Sequence, residues 1–454
     1  MSRSITNRAS QTFGLPKSLH AFGVNVLLLP LGIATSILIA RTVGPAGKGS
    51  LDLIIATAAL LTTFLSLSLP PGLTFIVAQG KSNLGSLVPQ LLLIALVQTL
   101  LAVAILGILR ATGYARPFLP DWGAWIVLGV GVYVCVDLLT RYWGAILMGQ
   151  QQNAIVNNAE LAGRIAQFLI LFTVAGALYL SGKKISVSLL FVITLTVNVL
   201  INLFLFKSLA FKFRFSSDTQ ALKGATNFAL PCFIANSAQF LNYRLDVFIV
   251  GFFAGTASVG RYTLAVSLAQ LLWLMSNSVA SVLLPKVAAS ADTESNIRHT
   301  SRVSRLSLWG TASGAIALAV VGIQAIPTLY GDAFIPSVSA LLWILPGIVA
   351  FSVVNVLAAY IAGIGKPRLN LIVSCIALVV TVTLDLTLIP RLNIVGASIA
   401  STASYSLGAL LTVFLFVRET GSSIRDVLVP TADDIKLLFS LVKPILRRTR
   451  LQRA

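Results

Sequence analysis

The chain has 454 residues, of which 57% are hydrophobic and only 10% charged, and its mean hydropathy is +0.91. A soluble protein of this length needs far more charge to cover its surface, so that class is excluded. The formal net charge is +19, which needs an explanation in topology or in an anionic partner.

Residues 1–17 are polar and precede an apolar run too long for the core of a cleavable leader, so no cleaved signal is expected. Apolar runs near 20 residues then recur, each able to cross about 30 Å of hydrocarbon as a helix. In lipid every backbone polar group must be paired internally, so such runs become helices. They divide as 18–40, 50–79, 85–109, 122–147, 156–180 and 185–206, then 225–254, 258–284, 304–328, 336–361, 369–389 and 394–417. The reading is an all-α polytopic membrane protein with twelve spans. Pro30, Pro70, Pro71 and Pro346 are expected to kink theirs.

Between the first two spans the stretch ARTVGPAGKG (40–49) halts the apolar pattern. Residues 249–265, IVGFFAGTASVGRYTLA, have the same plan. Gly49 and Gly260 are 211 residues apart, and Gly149 and Gly363 differ by 214. This offset points to two six-span repeats of parallel orientation, an arrangement used by transporters. Each interruption reads as a tight external hairpin whose glycines relieve backbone strain. The domain plan is an N-terminal segment 1–17, an N-lobe 18–206, a basic linker 207–224, a C-lobe 225–417 and a tail 418–454.

Lys and Arg sort by side. The ends of the chain and the even-numbered loops carry 22 of the 33, the opposite side eight, and Arg141, Arg164 and Arg244 lie within or at the edges of spans. That bias places both termini in the cytoplasm. It also accounts for the net charge without nucleic acid, because the basic residues are dispersed over loops. Lys207, Lys212, Arg214 and Lys223 of the linker suit an anionic leaflet. In the tail, Ile435, Leu438, Phe439, Val442 and Leu446 recur at helical spacing before LRRTRLQ, as in an interfacial amphipathic helix. Thr431 and Asp434 have the spacing of its capping box.

Ionisable groups inside spans point to function, since each costs at least about 2.5–3.5 kcal/mol at a helix centre. Asp137 and Arg141 stand four apart on one face, as do Glu160 and Arg164, and both couples read as ion pairs. In the seventh span Asn236, Gln239, Asn242, Tyr243 and Asp246 fall within about 120° of arc. A polar stripe at that depth is expected to face a water-filled cavity. Arg244 lies about 160° from Asp246 on the wheel and cannot pair with it. Asp385 reads as a capping or pairing group. Cys135, Cys232 and Cys375 read as small core residues, and two histidines are too few for a His-rich metal site.

ARTVGPAGKG, RLDVFIVGFFAGTASVGRYTLA, LLPKVA (283–288), LYGDAF (329–334), GIGKP (363–367) and LDLTLIPRLNIVGASIAS (384–401) occur in this order along the chain. Together they resemble the polysaccharide flippases of the multidrug/oligosaccharidyl-lipid/polysaccharide exporter superfamily. Asp385 stands where such proteins often carry Asn, and Asn393 where Gly is usual. The resemblance implies a MATE-like fold of two six-helix lobes set as a V around a cavity. It implies a bacterial inner membrane and transfer of an undecaprenyl-pyrophosphate-linked oligosaccharide to the outer leaflet by alternating access. It implies no cofactor, and polysaccharide polymerase and chain-length machinery as partners. Charge and wheel geometry make Arg141 and Arg244 candidates for the pyrophosphate, beside Asp137, with Asn236, Gln239, Asn242 and Asp246 for the sugar. Two alternatives stay open. An ion-coupled multidrug or cation antiporter of the same superfamily would want an acid in the first span, which has none. A membrane-embedded glycan-assembly enzyme would want paired carboxylates, a nucleophile elbow or a long external loop, and none is present.

Overall fold

Two glycines decide how the apolar runs become helices. In the computed structural model, α1 (Leu15–Leu65) is helical throughout except at Gly44, with φ 68 and ψ −175. Its counterpart α7 (Thr219–Gln270) breaks at Gly255, with φ 76 and ψ 174. That combination is open essentially to glycine alone. Gly44 and Gly255 are again 211 residues apart, so the repeat seen in the sequence is a repeat of backbone geometry. Of the glycines in each interruption, the one that takes the strained conformation is Gly44 or Gly255, five positions before Gly49 and Gly260. Gly49 and Gly260 are needed for a different reason, which is close approach. A Cβ on Gly49 would lie 1.8 Å from the Thr256 carbonyl oxygen, and one on Gly260 would lie 2.1 Å from that of Pro45.

The structure describes residues 15–80, 83–115, 118–119, 123, 125–183, 185–209, 219–290, 292–431 and 434. The remaining helices are α2 (Leu69–Ala78), α3 (Leu84–Ala111), α4 (Trp125–Gly149), α5 (Asn153–Leu180), α6 (Val187–Ser208), α8 (Trp273–Ala289), α9 (Thr293–Tyr330), α10 (Pro336–Gly363), α11 (Pro367–Leu392), α12 (Ile394–Thr420) and the short α13 (Ile424–Leu428). Among the described residues ten helical runs are long and apolar enough to cross a membrane, and two of them, Leu28–Leu65 and Phe233–Gln270, each contain the glycine break. Divided there, the runs give twelve legs in the expected order. This is an all-α, multi-pass membrane protein. The second span is itself broken, because Leu67 and Ser68 take positive φ and Pro70 and Pro71 fall in the first turn of α2. Its repeat mate, α8, is likewise set off from α7 by a turn at residues 271–272.

Exposed leucines such as Leu93, Leu96 and Leu100 run along α3, a surface that only a lipid environment makes inexpensive. Because lipid tails are as apolar as leucine, the helices hold together by close packing and interhelical hydrogen bonds. The chain divides into two compact units, Met1–Gly260 with Leu329–Ala333, and Arg261–Thr328 with Phe334–Ala454. This partition follows packing, whereas the lobes drawn at 206 and 225 follow the repeat and stand as a proposal. In the first unit, a Cβ on Gly149 of α4 would meet Val77 and the Thr74 carbonyl of α2. In the second, one on Gly363 of α10 would meet Val287 and the Leu284 carbonyl of α8. Both partner pairs are 210 residues apart, so the same helix crossing is built twice.

The second unit is pinned by α10 against α12, where a Cβ on Gly347 would sit 2.6 Å from the Thr402 Cα and Thr402 donates to the Trp343 carbonyl at 2.6 Å. Trp273, Phe351 and Tyr405 form an aromatic triangle. Asp385 is fully buried in α11. After α12 the chain turns back across the start of α9. Arg305 donates to the Asp426 carbonyl and, at 2.7 Å, to the Asp434 carboxylate, and Arg302 pairs with the same carboxylate at 3.2 Å. Trp309 donates to the Leu428 carbonyl at 3.0 Å, and Val427 is buried. Thr431 and Asp434 make the reciprocal bonds of a capping box. The amphipathic stretch 435–446, the N-terminal basic residues Arg3 and Arg8, and Lys212 and Arg214 of the linker lie outside the described residues.

Candidate functional site

Within the first unit lies a cavity of about 910 Å³. Its walls come from the second leg of α1, the turn at Ser66–Ser68, α2, α4, α5, α6 and α7. The break before α2 helps to make it, since Ser66, Ser68, Pro70 and Pro71 all reach the lining. A straight helix would carry those groups past the space.

Among the described residues three charged side chains line the cavity, Arg141, Glu160 and Arg164. Arg141 gives its Nε to Asp137 at 3.1 Å and remains 45% exposed, so its terminal nitrogens stay open to the cavity. Asp137 is thus the counter-charge that holds Arg141 rather than part of the wall. The other couple behaves differently. Glu160 and Arg164 have the same four-residue spacing, yet they form no ion pair, and both side chains are exposed. An exposed pair of this kind is worth only about 0.3–0.5 kcal/mol, too little to hold the two side chains together.

The polar stripe of α7 splits. Asn236, Gln239 and Tyr243 line the cavity, with Asn236 donating to Ser68 Oγ at 3.1 Å and Gln239 to Tyr243 Oη at 3.0 Å. Asn242 and Asp246 are turned into the packed interior, 8% and 2% exposed, and Asp246 accepts from the Val247 amide at 2.7 Å. Arg244 is exposed but absent from the lining. Of the residues picked from sequence, the structure brings Arg141, Asn236 and Gln239 together, with Asp137 behind Arg141. It does not place Arg244, Asn242 or Asp246 there.

Residues 38–339 match the family model described as Polysaccharide biosynthesis protein. The chain belongs to this family. Solved structures show the fold of this polysaccharide biosynthesis protein. It is similar to the Lipid II flippase MurJ in an inward closed conformation, with a TM-score of 0.72 at 16% identity over 94% of this chain and 92% of that one. It is also similar to a multidrug resistance MATE family transporter in an inward-facing conformation, with a TM-score of 0.70 at 15% identity over 89% and 98% of the two chains. Among curated proteins it resembles the Probable flippase AglR of Haloferax volcanii, 28% identical over 185 residues, which span 37% of each chain.

The sequence reading of this polysaccharide biosynthesis protein missed the α5 and α6 walls. Gln167, Thr194 and Asn198 line the cavity, with Gln167 donating to Thr194 Oγ1 at 3.3 Å and Asn198 to the Thr194 carbonyl at 2.8 Å. A signal was present, since Glu160, Arg164 and Gln167 fall on one face at spacings of four and three. Reading Glu160 and Arg164 as a closed pair removed it from view.

Proposed function

We propose that this protein is a flippase that carries an undecaprenyl-pyrophosphate-linked oligosaccharide across a bacterial inner membrane by alternating access, both termini being cytoplasmic. The observation that carries the reading is a cavity inside a helical unit of this membrane protein whose wall offers the guanidiniums of Arg141 and Arg164 beside uncharged amides and hydroxyls. A pyrophosphate needs cations with fork-like donors, and a glycan needs neutral hydrogen-bonding groups. At about 910 Å³ the cavity lies near the upper end of the 300–1,000 Å³ common for ligand sites. That suits a headgroup with a few sugars, not a polymer. Arg141 and Arg164 take the pyrophosphate, and Asn236 and Gln239 contribute to the sugar site. The protein acts as a carrier and not an enzyme. Its basic linker and tail rest on anionic lipid, and polymerase and chain-length machinery work downstream.

One observation favours a second reading. Glu160 is an unpaired carboxylate in the cavity, the kind of group a cation-coupled drug antiporter needs. Liposomes holding the purified protein separate the two. Protein-dependent exposure of a lipid-linked oligosaccharide to added lectin supports the flippase. Efflux of a lipophilic cation without glycan exposure supports the antiporter.

A further inference from the structure

The cavity wall is layered along its helices. Glu160 lies seven residues into α5 from Asn153, Arg141 eight residues back from the end of α4 at Gly149, and Arg164 eleven into α5. At a rise of 1.5 Å per residue these sit about 10, 12 and 16 Å from the α4–α5 turn. Gln167 is fourteen residues into α5, and Thr194 fourteen back from Ser208 at the end of α6, both about 21 Å deep. Their mutual hydrogen bond at 3.3 Å shows that the two helices share this level. Asn198, about 15 Å deep by the same measure, lies level with Arg164 at the inner edge of the charged residues. Among the described residues every charged lining residue thus belongs to a collar nearer the turn than Gln167 and Thr194, and the α5 and α6 wall at their level is neutral.

That neutral wall has a definite hydrogen-bonding character. Gln167 spends an amide N–H on Thr194, Asn198 spends one on the Thr194 carbonyl, and the Thr194 hydroxyl donates to the Leu190 carbonyl at 2.9 Å. Gln167 Oε1 and Asn198 Oδ1 are left facing the cavity without a protein donor. From the collar's inner edge inward the α5 and α6 wall therefore offers acceptors, which suits hydroxyl and acetamido N–H donors.

Resting on the flippase reading, we propose that this layering fixes both the orientation and the class of the cargo. The pyrophosphate enters the collar of Arg141 and Arg164. The sugars pass Asn198 at the collar's inner edge, lie against Gln167 and Thr194 beyond it, and are neutral hexoses or N-acetylhexosamines. A uronic or other carboxylate-bearing sugar at that depth meets carbonyl oxygens and no cation, because the collar guanidiniums are engaged by pyrophosphate. A charge taken out of water without a partner is strongly disfavoured.

The test uses the full-length protein in liposomes and two polyprenyl-pyrophosphate trisaccharides of equal length, one wholly neutral and one ending in a uronic acid. The neutral cargo is expected to flip at least about tenfold faster, a difference of about 1.4 kcal/mol. Gln167→Lys and, separately, Asn198→Lys are expected to narrow that gap by speeding the acidic cargo. Equal rates for the two cargoes in the unaltered protein would overturn the layering while leaving the flippase reading in place. Movement of neither cargo would overturn both.

Discussion

Gly49 and Gly260 are held against each other by a reciprocal contact. A Cβ on Gly49 would lie 2.6 Å from the Gly260 nitrogen, and one on Gly260 would lie 2.8 Å from the Gly49 nitrogen. Their further neighbours, Thr256 and Pro45, are themselves 211 residues apart. Each repeat thus offers the other the same surface, as in a contact between two copies related by a twofold axis.

Gly49→Ala and Gly260→Ala should each destabilise the protein by about 1–3 kcal/mol, the range for overpacking a tight contact. The obstruction is backbone, which cannot rotate away. Gly44→Ala should cost a similar amount, about 1–3 kcal/mol, for another reason. Nothing lies within 4 Å of a Cβ there, but φ is +68. Thermal unfolding in detergent checks both. An unchanged midpoint for Gly49→Ala would mean that the close contact is not made.

Gln239→Cys in a cysteine-free background should react with a water-soluble maleimide, whereas Asn242→Cys should not. The two sit three residues apart on α7, yet only Gln239 lines the cavity. Equal labelling would show that the α7 stripe is not divided between cavity and interior.

The strap from α12 to Asp434 should loosen in acid. Burial pushes the Asp434 carboxyl up. The bond from Arg305, those from the Thr431 amide and hydroxyl, and the Arg305 charge outweigh burial and hold the group at about 2, below the usual 3.8. A carboxyl with a lowered folded value stabilises above its unfolded value, and that stabilisation is lost as pH falls from about 4 through about 2. At neutral pH Asp434→Asn should speed hydrogen exchange at residues 424–428 by about tenfold or more, the loss of one charged hydrogen bond. Unaltered exchange would show that the Arg305 contact does not secure the strap.

Much of the fold was legible in the sequence because lipid imposes a simple rule, that an apolar run of sufficient length becomes a helix. The breaks at 40–49 and 249–265 were legible as breaks, but composition could not say which glycine carries the strain. Gly44 precedes Pro45, which itself restricts the residue before it, whereas Gly255 has no such marker. The site was less legible. A helical wheel gives the angle between side chains but not the direction of the cavity, so Asn242 and Asp246 were grouped with Gln239 although only one edge of the stripe lines the cavity. For Glu160 and Arg164, spacing fixed reach but not pairing, because the attraction is small beside solvation.

The central claim is that Arg141 and Arg164 together hold an anionic headgroup in this cavity. The direct measurement is lectin-detected flipping of a neutral polyprenyl-pyrophosphate oligosaccharide in liposomes containing the unaltered protein, Arg141→Ala, Arg164→Ala or both, with matched thermal unfolding. Each single change should lower the rate by at least about tenfold, the worth of one charge-assisted contact, and the double change should abolish flipping, with the folded state retained. A well-folded double variant that flips at the unaltered rate would contradict the account.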